Sequence, residues 1–289
     1  MKRSLAFVLG GGGARGALQV GALRALLERD IHPDLLVGTS AGAINAAFLG
    51  LDPTLERVQL LENAWREAAQ KDFFPSGWMP VIGRALGNRA GHPQGAHLRE
   101  FFLAHLPAPD LTFRQMRIPV FLVAADLNHA QMIVYGVKPD QLVLEGILAS
   151  AALPPWVHPL EKSDQFLMDG GAVSNLPIEA AISQGASEVI ALDLSDPAEL
   201  PVTSHGFGPF AAKLMNTVVR RQLELELRLA AACGTTVHHI QLRSDPPLKF
   251  TDFSHAEELF AQGYAIANQT LDEKWRPNPV AQIERPCAG

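Results

Sequence analysis

The stretch that decides the fold is Gly38-Thr39-Ser40-Ala41-Gly42. Residues 33–37 before it are typical of a short buried strand, and residues 43–49 after it are small and apolar, as in a helix crossing a sheet. A serine held between strand and helix can expose its hydroxyl on a strained turn, the nucleophile elbow. The turn needs Gly38 and Gly42, because a Cβ would obstruct the close passage of the helix. The pattern predicts Ser40 as a nucleophile.

A second glycine-rich stretch, Gly10 to Gly16, joins a predicted strand at residues 4–9 to a predicted helix at residues 15–28. Its spacing fits a dinucleotide fingerprint, but no acidic residue ends the second strand to bind a ribose. No Gly-Lys-Ser/Thr follows, so a P-loop is excluded as well. Unshielded amides at a helix N-terminus attract negative charge. We expect an anion site, with a turn that binds nothing as the alternative.

The proposed anion is the oxyanion that forms when a nucleophile attacks a carbonyl group. We expect the backbone N–H groups of Gly11, Gly12 and Gly13 to stabilise it, with Arg15 adding positive charge nearby.

A third stretch, Phe166-Leu167-Met168-Asp169-Gly170-Gly171, is an apolar strand that ends in a carboxylate on a glycine turn. An ordinary Asp-Gly turn would have the same sequence. A carboxylate at the end of a strand would be positioned on a rigid element and exposed at the edge of the sheet.

Taken together, these stretches resemble the patatin-like phospholipases. Gly11 to Gly16 resembles that family's oxyanion motif, Gly38 to Gly42 its nucleophile motif, and Asp169-Gly170-Gly171 its aspartate motif. The connecting residues 149–155 and 173–177 are similar too, so that the resemblance extends over residues 4–195. It implies a Ser-Asp dyad without a catalytic histidine, acting on acyl esters. It also implies a three-layer α/β/α fold with a mainly parallel central sheet.

Composition fits this interpretation. The chain has 289 residues, 47% of them hydrophobic, which suffices for the core of a single domain. A net charge of −6 gives no reason to expect nucleic acid, and no Lys/Arg cluster indicates strong attachment to anionic lipid. We expect a lipid or ester substrate, no cofactor and no metal, and leave transient contact with a membrane surface open. The sequence does not determine the oligomeric state.

The location predicted is the cytoplasm. Cys233 and Cys287 do not form a disulfide framework, so reduced thiols are the simpler interpretation. The apolar run Leu5 to Leu9 is too short for a signal peptide, and no stretch is long enough to span a membrane.

Residues 72–95 lack clear periodicity and are rich in Gly, Pro and large apolar side chains. Long loops of this kind often act as lids or binding loops. We expect Phe73, Phe74 and Trp78 to contact the acyl chain, with a small satellite core as the alternative. The tail at residues 276–289 is predicted to be irregular.

The sequence also predicts the remaining elements. Strands are expected at residues 34–38, 118–125, 131–135, 165–168 and 188–193, and helices at residues 40–50, 54–70, 140–151, 177–184 and 210–232. In the last of these helices, Leu214, Val218, Leu225 and Leu229 are expected to face the core. A capping box, Ser254-x-x-Glu257, is expected to begin the final helix.

A Ser-His-Asp triad is the rival mechanism. His205, His238, His239 and His255 follow Asp169 in the order that an α/β-hydrolase requires, and His158 is closest to it in sequence. None lies in a recognisable turn motif, and His238 and His239 should point to opposite faces of a strand. Two other functions remain open: an acyltransferase that uses the same acyl-serine, and a regulatory module without catalysis.

Overall fold

Apolar runs that the sequence predicts as strands lie side by side in one mixed sheet. The computed structural model describes residues 4–71, 93–154, 156–195 and 207–274. The strands of these residues are β1 (Leu5–Leu9), β2 (Leu35–Thr39), β3 (Val120–Asp126), β4 (Gln131–Tyr135), β5 (Leu160–Lys162), β6 (Gln165–Asp169), β7 (Glu188–Asp193) and β8 (Thr236–Gln241). The helices are α1 (Gly16–Glu28), α2 (Ala41–Gly50), α3 (Leu55–Ala69), α4 (Pro93–His105), α5 (Val143–Ser150), α6 (Ile178–Ser183), α7 (Phe207–Ala232) and α8 (Ala256–Lys274).

The sheet has a parallel centre and an antiparallel edge. Strands β3, β2, β1, β7 and β8 are parallel neighbours in that order. Strands β4 and β6 pair antiparallel with β3, and β5 continues outward from β6. The carboxyl ends of the parallel strands meet at one edge, where the residues that follow β1 and β2 converge.

Helices cover both faces of the sheet, as the predicted three-layer fold requires. One hydrophobic cluster packs helices α1 to α5 and α8 against the first face, and a smaller cluster packs α6 and α7 against the second. Both faces of β1 and β2 are therefore buried, which accounts for their continuous apolar sequences. Within the described ranges, no helix has the length and apolar character that crossing a bilayer would require.

The register of β3 brings Ser40 and Asp169 together. Strand β4 occupies one edge of β3 from Leu122 to Asp126. Strands β2 and β6 must therefore share the other edge, one after the other. Thr39 of β2 pairs with Val123, and Asp169 of β6 pairs with Ala124, the next residue along β3. Strands β2 and β6 therefore meet end to end, and this brings Ser40 and Asp169 together although they are far apart in the chain.

Two predictions about the helices are wrong. Helix α4 begins at Pro93, inside the last residues of the predicted loop. The capping box does not form, because Ser254 donates its hydroxyl hydrogen to Asp252 and Glu257 accepts hydrogen bonds from Arg66.

The predicted core face of α7 is also wrong. Leu214, Leu225 and Leu229 are exposed, whereas Leu223, Glu226, Leu227 and Ala230 face the protein. The reason is a set of hydrogen bonds. Gln222 and Glu226 hydrogen-bond to the segment that follows Asp169, and these bonds fix the rotation of α7 about its own axis.

Candidate active site

Ser40 lies on a strained turn between β2 and α2. Its backbone has φ 55° and ψ −122°, a left-handed conformation that non-glycine residues rarely adopt. A Cβ on Gly38 would lie 2.3 Å from the carbonyl oxygen of Gly42, and one on Gly42 would lie 2.1 Å from that of Leu9. Glycine is therefore required at both positions, and the local geometry is that of a nucleophile elbow.

Ser150, at the end of α5, braces this turn. The backbone N–H of Ser40 donates to the Ser150 hydroxyl over 2.9 Å, and that hydroxyl donates to the carbonyl of Val123 over 2.6 Å. Ser150 is completely buried. The strained backbone of Ser40 is thereby tied to strand β3.

The Asp169 carboxyl group lies beside the Ser40 hydroxyl and is only 5% exposed. The N–H of Gly171 donates to Asp169 Oδ1 over 2.8 Å. Burial disfavours the charged carboxylate and raises its pKa to about 6, although the contacts with Ser40 and Gly171 act in the opposite direction. The group is thus a stronger base than an ordinary aspartate while still ionised at neutral pH.

Within the described residues, the glycine loop presents two free amides rather than the predicted three. The N–H of Gly11 donates to the carbonyl of Asn175 over 2.9 Å and is therefore not available to an oxyanion. In the described part of the chain, the amides of Gly12 and Gly13 have no acceptor. Gly13 has φ 58°, and a Cβ there would lie 2.3 Å from the carbonyl oxygen of Phe250, so only glycine fits.

Neighbouring groups hold these two peptide units in place. Asn175 Nδ2 donates to the carbonyl of Gly11 over 3.2 Å. Arg15 donates from its backbone N–H and its Nε to the carbonyl of Gly12, in each case over 3.3 Å. Because a trans peptide is planar, each amide N–H points away from the carbonyl that precedes it. The N–H groups of Gly12 and Gly13 are therefore directed away from Asn175 and Arg15.

Sequence analysis noted the stretch that contains Asn175 but gave the residue no role. Its side chain and carbonyl contact the glycine loop, and its N–H donates to Gln222 of α7. The preceding residue, Ser174, accepts a hydrogen bond at its carbonyl from Thr39. This segment therefore connects the loop after β1, the elbow after β2 and the turn after β6.

An apolar pocket opens beside Ser40 and is continuous with the hydrophobic core. Helices α2, α3 and α4 supply most of its wall, and the segment around Phe253 completes it. Among the described residues, its lining has no charged side chain. The largest lining side chains are Phe48, Trp65, Phe101, Phe102, Phe250 and Phe253.

Sequence analysis assigned none of these aromatic residues to the site. Phe101 and Phe102 lie on the unpredicted helix α4, and Phe250 and Phe253 lie beyond residues 4–195, over which the family resemblance extends. The predicted acyl contacts Phe73, Phe74 and Trp78 lie outside the described residues, as does most of the predicted lid, so those roles stay predictions.

The four described histidines that the triad alternative named interact with other groups. His238 pairs with Glu188, and His239, on the opposite side of the strand, pairs with Asp193. His255 interacts with Glu258, and His158 with the carbonyl of Pro159. No histidine of the described ranges is hydrogen-bonded to Ser40 or Asp169. The described residues thus do not place any of these four histidines in a triad, and His205 lies outside the described residues.

Fold and site define an α/β protein in which a strained serine faces a buried aspartate beside a glycine-rich loop. The family model for the patatin-like phospholipases matches residues 7–182, which is more than half of the chain and includes both residues. The chain belongs to the patatin-like phospholipase family.

Relatives extend this match over most of the chain. Patatin-like phospholipase domain-containing protein 7 of Rattus norvegicus is 28% identical over 284 residues, which cover 90% of this chain and 20% of the relative. Neuropathy target esterase sws of Drosophila melanogaster is 28% identical over 208 residues, which cover 70% of this chain and 14% of the relative. The chain thus spans about a fifth or less of the length of these relatives. Among solved structures, VipD of Legionella pneumophila aligns with a TM-score of 0.48 and 14% identity over 94% of this chain and 67% of that chain.

Proposed function

We propose that this protein is a serine acyl hydrolase of the esterase/phospholipase A type, which cleaves carboxylic ester bonds of lipids through a Ser40-Asp169 dyad. The observation that carries the proposal is the hydroxyl of Ser40, on its strained backbone turn, next to the buried carboxyl group of Asp169, whose pKa is about 6. A base whose pKa is close to the pH of the reaction is largely ionised and still has a high affinity for the proton that it must accept. Family membership and a relative named as an esterase support the same reaction.

In the proposed reaction, Asp169 accepts the proton of Ser40 Oγ as this oxygen attacks the ester carbonyl carbon. The carbonyl oxygen takes the negative charge, and the N–H groups of Gly12 and Gly13 stabilise it as hydrogen-bond donors. The tetrahedral intermediate then expels the alcohol, which takes a proton from Asp169, and leaves an acyl-serine. Water attacks the acyl-serine with Asp169 again as base, and the acid is released.

The pocket supports an acyl chain as the group held beside Ser40. The described lining residues are apolar and offer no partner to a charged head group, whereas each buried methylene gains ~0.8 kcal/mol. We therefore assign the pocket to the fatty-acyl portion and place the leaving alcohol outside it.

The test is labelling and turnover of the purified chain. A fluorophosphonate probe should label Ser40, and a panel of nitrophenyl esters and phosphatidylcholines should be hydrolysed. Ser40→Ala should remove labelling and lower kcat by about 10⁴-fold or more. Ser183→Ala, an exposed serine on α6, is the matched control and should keep both. Labelling without turnover of any ester would contradict the proposed hydrolase.

Acceptor alcohols distinguish the hydrolase from an acyltransferase. Free fatty acid should remain the main product when an alcohol is added to the assay. If the ester of the added alcohol is the main product, the protein is an acyltransferase and not a hydrolase, and the proposed acyl-serine intermediate is retained.

A further inference from the structure

Helix α7 extends well beyond the edge of the sheet at which Ser40 lies. The helix joins the parallel strands β7 and β8, so it runs antiparallel to them and begins on the side of their carboxyl ends. We call the edge of the sheet at which Ser40 and Asp169 lie the catalytic edge, after its proposed role. Gln222 marks the level of this edge, because its side chain hydrogen-bonds to Ala172 and Asn175, just after Asp169. With a rise of 1.5 Å per residue, residues 207–221 extend roughly 22 Å past this level. We call residues 207–221 the projecting segment.

The projecting segment exposes large apolar side chains. Phe210 is 60% exposed, Leu214 52% and Met215 45%. Its described side chains make no hydrogen bond to another element, whereas those from Gln222 onward bind the protein. Nothing in the described part of the chain covers these three residues.

The charge of this segment is opposite to that of the whole chain. The chain has a net charge of −6, yet the projecting segment contains Lys213, Arg220 and Arg221 and no acidic residue. Arg221 pairs with Glu224 in the next turn, while Lys213 and Arg220 have no ion pair within the described residues. Exposed apolar side chains next to cations on a helix are typical of helices that lie in the interface of an anionic bilayer.

A second copy of the chain fits this surface less well. In a two-fold symmetric dimer the same patch meets itself, so the three cations of each copy would face those of the other. Anionic head groups instead complement the cations, and the acyl boundary accommodates Phe210, Leu214 and Met215.

We propose that the projecting segment docks the protein reversibly on an anionic lipid surface and keeps the catalytic edge close to it. This inference rests on the proposed function only in taking the ester substrate to reside in that surface. Three cations provide less attraction than the larger clusters that anchor proteins firmly, so we expect salt-sensitive contact.

The test uses the full chain with Ser40→Ala, which cannot consume the lipid, and measures binding by vesicle flotation. Vesicles of phosphatidylcholine alone are compared with vesicles that also contain phosphatidylglycerol. Leu214→Ser with Met215→Ser should lower the partition coefficient about tenfold or more on the anionic vesicles. Lys213→Gln with Arg220→Gln should lower it about tenfold at low salt and less at high salt. Leu55→Ser is the matched control, because Leu55 is 45% exposed at the start of α3, on the opposite edge of the sheet.

Circular dichroism melting establishes that each variant is folded, and sedimentation equilibrium measures its mass. Unchanged partitioning in both double variants, or equal loss in the Leu55→Ser control, would overturn the proposal. A shift from dimer to monomer without a change in partitioning would assign the segment to a contact between copies instead. Ester hydrolysis by the unsubstituted chain is measured separately, so lipid binding without hydrolysis would refute the proposed function and leave the docking surface standing.

Discussion

The catalytic edge and the wall of the apolar pocket meet at Ser40, yet they are built in different ways. At the catalytic edge, the geometry is set by the main chain at the ends of strands β1, β2 and β6, with glycines where side chains cannot fit. The pocket wall consists of side chains from α2, α3, α4 and the segment near Phe253, which are far apart in sequence.

This difference separates the proposed chemistry from the proposed choice of substrate. A change at the catalytic edge should slow the hydrolysis of every ester, because it alters transition-state stabilisation. A change in the wall should alter the ratio between long and short esters, because only long chains reach it. The expected effects of four substitutions or conditions can confirm or break this separation.

The largest effect is expected at Asp169. Asp169→Asn keeps the size of the side chain but cannot take the proton of Ser40, so kcat should fall by about 10⁴-fold for long and short esters alike. The double variant with Ser40→Ala should be little worse than either single variant, because the two residues act as a unit. Asp126→Asn, at another buried aspartate that ends a strand, is the control. Asp169→Asn activity above a tenth of the wild-type value would exclude the dyad, and a thousandfold loss at His158, His238, His239 or His255 would favour a triad.

A smaller loss is expected at Asn175. Asn175→Ala removes the Nδ2 hydrogen bond to the carbonyl of Gly11 but keeps the two backbone hydrogen bonds of residue 175. The amide of Gly12 would then be less well oriented, and kcat should fall by about 10- to 100-fold with little change in KM. Substituting the glycine itself is a poorer test, because a Cβ on Gly12 would lie 2.6 Å from Leu194. An increase in KM at constant kcat would indicate a role in substrate binding instead.

The sequence predicts the elbow because its geometry depends on local rules. Only glycine fits at positions 38 and 42, because a Cβ at either position would collide with main-chain atoms of the elbow or of the adjacent strand β1. The place of Asp169 has a different cause from the one the sequence suggests. Strand β6 is antiparallel to β3, so its carboxyl end meets that of β2 along one edge of β3.

The rest depends on tertiary contacts that a sequence pattern does not specify. Phe101 and Trp65 have the spacing of ordinary core residues, and the sequence pattern does not show that both line one pocket. The amide of Gly11 is engaged by Asn175, which is 164 residues away. The leucine spacing of α7 indicated the wrong face, because Gln222 and Glu226 determine how that helix is rotated.

The pH dependence should follow the Asp169 carboxyl group. Burial raises its pKa to about 6, above the ordinary value, so the base is ionised above pH 6 and protonated below it. With a soluble short ester, kcat/KM should be level at higher pH and fall about tenfold for each pH unit below 6. Ser40→Ala removes a hydrogen bond that lowers this pKa, so carbon NMR of Asp169 in that variant should give a higher value. An acid limb near pH 4 in the wild-type enzyme would mean that Asp169 is solvated during turnover.

The smallest effect is expected in the pocket wall, where it should depend on chain length. Ala68 and Ala69 are adjacent on α3, but only Ala68 is buried and lines the pocket. Ala68→Leu would fill the space for part of the acyl chain, and each methylene excluded costs ~0.8 kcal/mol, or about a fourfold lower kcat/KM. The ratio of long-chain to butyrate kcat/KM should therefore fall severalfold in Ala68→Leu and stay constant in Ala69→Leu. Both ratios are measured well below the melting temperature of each variant, so that lost stability does not enter. Equal losses for butyrate and long chains in Ala68→Leu would mean that the wall supports the catalytic edge, and the separation between chemistry and chain selection would fail.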